Sequence, residues 1–223
     1  GLGDVYKRQE YYFNVVYLSL VDSGGMREEK PLNLKFFADQ QPIHLSARSG
    51  EASSYFSHKG VPDLYFYNEN GTDEEGEIIY KPILNVALGS SGHKLIFVIE
   101  MPGGSLGARV YDMSVDAFPL NTAQVLNFSK EPVMVRLGKE VGRVASFNNK
   151  NFPVKIEQRR AAINFALAVN VSGKPKVIEM KRIAFTKNRR QLILVYNDPS
   201  KPAKIRHRVY PMALPTVVEN RSC

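Results

Sequence analysis

The sequence predicts an all-β protein made of two tandem antiparallel β-sandwich domains of the immunoglobulin-like class, packed together. Three observations lead to this fold class. About fifteen short segments show the apolar–polar alternation of strands. Turn-forming clusters separate them every eight to twelve residues, as in sandwiches and barrels. One pattern occurs twice, about a hundred residues apart. At 223 residues the chain is long enough for two domains that each bury a core.

The predicted strands of the N-terminal half are short segments rich in β-branched and aromatic residues. Asn68–Gly71 and Gly89–Gly92 have the composition of turns and separate some of these segments. The predicted strands cover residues 11–20, 32–36, 43–47, 64–67, 78–88, 94–100 and 108–111.

In the C-terminal half, residues 114–121 are predicted to be a connector, with one helical turn beginning at Ser114. The alanines of residues 159–170 favour a helix, but the strict alternation of this segment favours a strand, and we predict a strand. The other predicted strands cover residues 125–128, 133–137, 141–147, 154–157, 176–185, 191–196 and 203–210.

The internal similarity joins HKLIFVIEMPGGSLGARVYDMS to RQLILVYNDPSKPAKIRHRVYPMA. Leu95 aligns with Leu192, and Val110-Tyr111 aligns with Val209-Tyr210. Each copy has an apolar strand, a proline-containing turn and an arginine-bearing strand. The first strand is apolar on both faces, which predicts a position in the middle of a sheet. The repeat predicts domains at residues 10–116 and 122–213, a boundary within 114–121 and a tail at 214–223.

Two segments carry a resemblance to known sequences. They are VYDMSVDAFPLNTAQVLNFSKEPVMVRLG (residues 110–138) and NRRQLILVYNDP (residues 188–199). Together with most of residues 10–214, they resemble uncharacterised two-domain β-sandwich proteins of bacterial cell envelopes. This resemblance implies a secreted or periplasmic protein, in which the Ala-Phe-Pro at 117–119 bends the chain between domains. It implies no known activity.

The opening segment GLGDVYKRQ (residues 1–9) resembles translated sequencing-adaptor DNA. It contains two glycines, mixed charges and no apolar period. We therefore expect that these residues are not native, and that the natural N-terminus, with any signal peptide, lies upstream.

Charge is distributed unequally along the chain, whose formal net charge is +8. Residues 1–125 have 10 Lys and Arg against 16 Asp and Glu, and residues 126–223 have 20 against 6. Such asymmetry suggests an anionic polymer as partner, or mutual attraction of the two halves.

The basic clusters of the C-terminal half are the candidate anion-binding residues. On a strand, alternate residues share one face, so Lys204, Arg206 and Arg208 would form a row that could follow an anionic polymer. The alternative is a solvated face whose cations protect strand edges. The candidates are Arg159, Arg160, Lys181, Arg182, Arg189, Arg190, Lys204, Arg206 and Arg208, and Lys187 lies between two of these clusters.

Other chemistries are disfavoured. Gly103–Gly107 fits G-x-S-x-G around Ser105, with Asp198 and His207 downstream, but a strand is predicted where this motif needs a helix. The same objection applies to a phosphate loop at residues 89–94. The acidic segment 68–77 lacks the spacing of a calcium loop. The four histidines lack zinc spacing, and the single cysteine, Cys223, allows no internal disulfide.

We therefore predict no catalytic, cofactor or metal site. The favoured function is a non-enzymatic secreted or envelope-associated module that acts as a structural, adaptor or binding protein. The alternative is binding of a polyanion, either acidic polysaccharide or nucleic acid, through the basic C-terminal half. The partner would be an anionic polymer or another envelope protein. No apolar run reaches the length of a membrane span.

Overall fold

The computed structural model describes residues 9–19, 31–48, 51–101, 103–171, 173–198 and 201–212. The chain divides into two compact units, Gly1–Ser114 and Val115–Cys223, and this division falls at the start of the predicted connector. Residues 1–8 of the adaptor-like segment and the predicted tail lie outside the described residues.

The first unit is a β-sandwich of two four-stranded sheets, in the orders β4-β1-β7-β8 and β3-β2-β5-β6. Its core lies between the sheets, where Phe13, Phe36 and Phe66 pack edge to face. Its strands are β1 (Glu10–Ser19), β2 (Leu32–Ala38), β3 (Gln41–Ala47), β4 (Phe56–Lys59), β5 (Asp63–Thr72), β6 (Ile78–Ala87), β7 (Gly92–Glu100) and β8 (Leu106–Asp112).

The second unit repeats this topology, with sheets β12-β9-β15-β16 and β11-β10-β13-β14. Each strand thus has a counterpart eight places earlier in the first unit. Its core includes Val135, Phe165 and Ile193. Its strands are β9 (Thr122–Asn127), β10 (Val133–Leu137), β11 (Glu140–Val144), β12 (Asn148–Pro153), β13 (Arg160–Val171), β14 (Lys174–Thr186), β15 (Arg190–Asp198) and β16 (Lys201–Met212).

The strand pairing matches the internal repeat residue by residue. Leu95 of β7 lies opposite Tyr111 of β8, and the aligned Leu192 lies opposite Tyr210. The whole aligned stretch keeps this register, so Val98 opposite Ala108 corresponds to Val195 opposite His207. The similarity seen in the sequence is therefore a similarity of paired strands.

The fold is all-β, as predicted, but its pairing is not wholly antiparallel. β1 runs parallel to β7, and β9 runs parallel to β15, whereas the other strand pairs are antiparallel. The two apolar strands of the repeat, β7 and β15, lie inside their sheets, and most of their residues are buried on both faces. Burial on both faces explains their continuous apolar sequence.

Edge strands account for the missed elements. β4 was not predicted, and β12 occupies residues 148–153 rather than the predicted 154–157. In β12 only Phe152 is buried, because the strand lies at a sheet edge and its other residues face solvent. Val154 and Ile156 do alternate inward, which produced the false strand signal.

Two turn predictions were also wrong. The Asn68–Gly71 cluster lies within β5, and the chain turns after it, where the Asp73 carboxylate accepts hydrogen bonds from the amides of Glu75 and Glu77. The helical turn expected at Ser114 is a series of turns instead. By contrast, the strand predicted over residues 159–170 is confirmed as β13. The described residues contain no helix long and apolar enough to cross a membrane.

Candidate anion-binding surface

The basic residues of the second unit are concentrated around the edge strands β14 and β16, which end their respective sheets. Residues 159–208 contain 13 Lys and Arg against only Glu179 and Asp198. The two edges lie on the same side of the sandwich, because Ile178 of β14 and Ile205 of β16 line one cavity. Several of the candidate cations lie on or beside these two edge strands.

Lys204, Arg206 and Arg208 form a row on β16, called here the β16 row. All three are exposed, whereas the intervening Ile205 and His207 are partly buried toward the core. Alternate residues on a strand lie about 6.6 Å apart. The β16 row therefore presents three regularly spaced cations on the sheet face that points away from the core.

Arg206 is partly committed to a contact within the protein. Its Nε donates a hydrogen bond to the carboxylate of Asp198, which is buried. Removing Arg206 would leave this carboxylate buried without that partner, which is costly. Substitutions of Lys204 and Arg208 test ligand contacts without removing this partner of Asp198.

A second group of cations surrounds the turn between β14 and β15 and is called here the turn cluster. Its members are Arg159, Arg160, Lys187 and Arg189, and all four are exposed. The backbone brings them together, since the amide of Lys187 donates to the carbonyl of Arg159 at 3.0 Å. The turn is fixed by Asn121, whose side-chain oxygen accepts from the amide of Asn188 at 2.7 Å. The turn cluster thus has a defined backbone frame.

Arg190 does not belong to this surface. Its side chain is 1% exposed, its Nη1 donates to the carbonyl oxygen of Phe118 at 3.0 Å, and its guanidinium lies 5.1 Å from the centre of the Phe118 ring. A guanidinium held in this way cannot reach a ligand in solution. We therefore remove Arg190 from the candidate set. The sequence offered one sign of this burial: Arg190 stands directly before the predicted strand 191–196, which is apolar on both faces.

The two remaining candidates, Lys181 and Arg182, are neighbours on β14 and point to opposite sides. Lys181 shares the inward side with Ile183 and Phe185, at the open edge of the sandwich. Arg182 lies on the outer side, where its guanidinium donates to the carbonyl of Ala162 at 3.3 Å. The candidates thus form separate groups rather than one continuous patch.

His207 lies between the two edges, with its ring 5.0 Å from that of Phe165. Burial lowers its pKa, the positive charge of Lys181 lowers it further, and the negative charge of Glu179 partly opposes this. Its Nε2 is buried without a hydrogen-bond partner in the described part of the chain. These observations favour the neutral imidazole.

The aromatic residues near the basic groups are not available to stack on nucleic-acid bases. Tyr196 and Tyr210 are 6% and 8% exposed, and Phe185 is 1% exposed. Proteins that bind single-stranded nucleic acid combine cations with exposed aromatic rings. This surface therefore has the charge of such a binder without its stacking platform.

The structure places Ser105 in a hairpin between β7 and β8, where its carbonyl accepts from the amide of Met101 at 2.9 Å. A strand follows it, so the strained strand-to-helix elbow of the hydrolase motif is missing at this position. Asp198 accepts a hydrogen bond from Arg206, and the ring of His207 packs against that of Phe165. Among the described residues, no group of three or more His, Cys, Asp or Glu is arranged to hold a metal ion.

Comparison with known proteins adds no family assignment. No protein-family model matches the chain, and no curated protein is significantly similar to it.

Proposed function

We propose that this protein is a non-enzymatic binding module, secreted or associated with the bacterial envelope, whose second unit binds acidic polysaccharide. The observation that carries the proposal is the concentration of exposed cations in the β16 row and the turn cluster. Both lie within residues 159–208, which contain 13 basic and 2 acidic residues. A polymer carrying regularly spaced negative charges complements such an arrangement.

Polysaccharide is favoured over nucleic acid for two reasons. The nearby aromatic rings are buried, which removes the stacking that single-stranded nucleic acid requires. The resemblance to envelope proteins implies residence outside the cytoplasm, where acidic polysaccharides are abundant and nucleic acid is not the usual partner.

Binding to polygalacturonate at several salt concentrations tests the proposal, with single-stranded DNA as the competing ligand. We compare wild type with Lys204→Gln/Arg208→Gln in the β16 row and with Arg159→Gln/Arg189→Gln in the turn cluster. Each double substitution removes two exposed ionic contacts worth up to about 1 kcal/mol each, so affinity should fall about tenfold. The dependence of affinity on salt should also become shallower, since fewer counterions are released.

Lys139→Gln/Arg143→Gln is the matched control. It removes the same charge from exposed positions at and beside β11, which is the opposite edge strand of the same unit. Its affinity should stay within about twofold of wild type. Equal losses in all three variants would mean that only net charge matters, and tighter binding of DNA than of polygalacturonate would overturn the choice of ligand.

An adaptor role is the second candidate, and one observation favours it. On the outer face of β14, Met180 is 75% exposed and Val177 is 53% exposed. Exposed apolar side chains on one face of a strand are suited to docking another protein. Binding through them would persist at high salt, whereas polysaccharide binding would not. Met180→Glu should abolish capture of such a partner and leave polygalacturonate affinity unchanged.

A further inference from the structure

The two units differ at one edge of an otherwise equivalent fold. In the first unit the edge strands β6 and β8 lie against each other and close that side of the sandwich. Their counterparts in the second unit, β14 and β16, scarcely approach one another. A cavity of about 450 Å³ opens between them, within the range of small-molecule sites. We call it the β14–β16 groove.

The two units also differ in one residue of this edge. By the register of the repeat, His207 of β16 occupies the position of Ala108 in β8. Ala108 has no ring to separate its strand from the opposite sheet, whereas the imidazole of His207 packs at a tilt against the ring of Phe165 in that sheet. The charged residues Glu179 and Lys181, which interact with this imidazole, occupy the facing edge of β14. The second unit therefore has a ring where the first has a methyl group, and this ring has charged neighbours on β14.

The lining of the groove combines an apolar floor with a basic rim. Val169, Ile178, Ala203 and Ile205 supply the apolar surface, and Lys201 and Lys204 supply the cations. Val169, Ile178 and Ile205 pack against the core and are only partly buried. An apolar surface left partly open next to two lysines is suited to a ligand with an apolar body and a negative end.

We propose that the β14–β16 groove binds a small amphiphilic anion, such as a medium-chain fatty acid. Its apolar chain lies between β14 and β16, and its carboxylate pairs with Lys201 and Lys204. This ligand differs in class from the acidic polysaccharide proposed above, and the inference does not depend on that proposal.

A small ligand fits the groove better than an added peptide strand does. The ladder between β13 and β14 is interrupted by a register shift at Leu167/Ala168, and Glu179 and Lys181 lie at the edge of β14. Bulges and inward-facing charges are features that protect sheet edges from pairing with another strand. A fatty acid requires no continuous line of backbone donors and acceptors.

Calorimetric titration with decanoate, below its micellar concentration, tests the proposal, with decanol and decyltrimethylammonium as neutral and cationic analogues. Decanoate should bind most tightly, and the cationic analogue should bind at least tenfold more weakly. Ala203→Phe fills the groove at an exposed position and should weaken decanoate binding at least tenfold. Lys201→Gln should weaken decanoate binding about threefold to tenfold and leave decanol binding unchanged.

Ala162→Phe is the matched control, because Ala162 is an exposed alanine on the outer face of β13, away from the groove lining. It should leave decanoate binding unchanged. Ala203→Phe should also retain wild-type affinity for polygalacturonate, so a failure of the groove proposal can be told apart from a failure of the polysaccharide proposal. Failure of decanoate to bind at millimolar concentration, full binding by Ala203→Phe, or equal binding of the cationic analogue would each overturn the inference.

Discussion

Alanine substitution of the adjacent arginines Arg189 and Arg190 should give opposite results. Arg189 is exposed in the turn cluster, and its backbone supplies the turn contacts, since its amide bonds to Thr186 and its carbonyl accepts from Asn121. Alanine preserves these backbone bonds. Arg189→Ala should therefore change the free energy of unfolding by less than about 0.5 kcal/mol and weaken polysaccharide binding.

The expected cost of Arg190→Ala follows from its surroundings. It loses a charged hydrogen bond to the Phe118 carbonyl, worth about 2 kcal/mol, and a cation–π contact worth about 1 kcal/mol. Loss of the packed aliphatic stem adds about 1–2 kcal/mol. Relief of the desolvated charge returns about 1–2 kcal/mol. The net loss in the free energy of unfolding should be about 3 kcal/mol, with polysaccharide affinity unchanged.

Hydrogen exchange measured by mass spectrometry in increasing urea suits this comparison, because it reports each of the two units separately and does not rely on a single two-state transition of the whole chain. Peptides from β9 and β15 report the second unit, and peptides from β1 and β7 serve as the internal reference. Loss of polysaccharide affinity in Arg190→Ala at wild-type stability would refute the reasoning, since it would show that the buried guanidinium reaches the ligand.

Two further substitutions test the second unit. Asn127 is 1% exposed; its amide donates to the carbonyls of Glu131, Val144 and Ala145, and its oxygen accepts from Ser129. Asn127→Ala should lower the free energy of unfolding by about 3 kcal/mol, and Asn149→Ala, at an exposed position on β12, should leave it almost unchanged in the same exchange experiment. The pKa of His207 is lowered in the folded protein, so below about pH 6.5 the unfolded chain binds more protons than the folded protein does. The free energy of unfolding of the wild type should therefore decrease as the pH falls through this value. His207→Phe keeps a ring against Phe165 and should lose this part of the pH dependence in urea titrations between pH 7.5 and 5. An identical pH dependence in both proteins would contradict the assignment of this effect to His207.

How well the sequence predicts a strand depends on how that strand is buried. β7 and β15 are recognisable because both of their faces are covered, so their apolar runs are continuous. β12 escapes such recognition because its exposed positions are filled by Asn and Lys. The parallel pairing of β1 with β7 also leaves no local signal, since it joins segments about eighty residues apart. Pattern arguments therefore work best in the centre of a sheet and worst at its edges.

The candidate site shows the same limit. The excess of basic residues is visible from the sequence, but their exposure is not, because Arg189 ends a turn and is exposed whereas the adjacent Arg190 begins β15 and is buried. Lys201 shows the opposite case, a residue absent from the candidates that the fold brings to a proposed site. It lies apart from the basic clusters in sequence, but the packing of the two sheets places it at the rim of the β14–β16 groove, which Val169 and Ile178 help to form.

The shared topology of the two units implies that the fold itself does not determine what either unit binds. Gly1–Ser114 has 10 Lys and Arg against 15 Asp and Glu, whereas Val115–Cys223 has 20 against 7. The same frame carries opposite charge, and the same edge is closed in one unit and open in the other. Because Ala108 and His207 hold equivalent positions in the two registers, a small residue at one site accompanies closure and a ring accompanies the groove. The binding proposed for the second unit is therefore best tested in its edge strands, where the two copies differ, rather than in the central strands that they share.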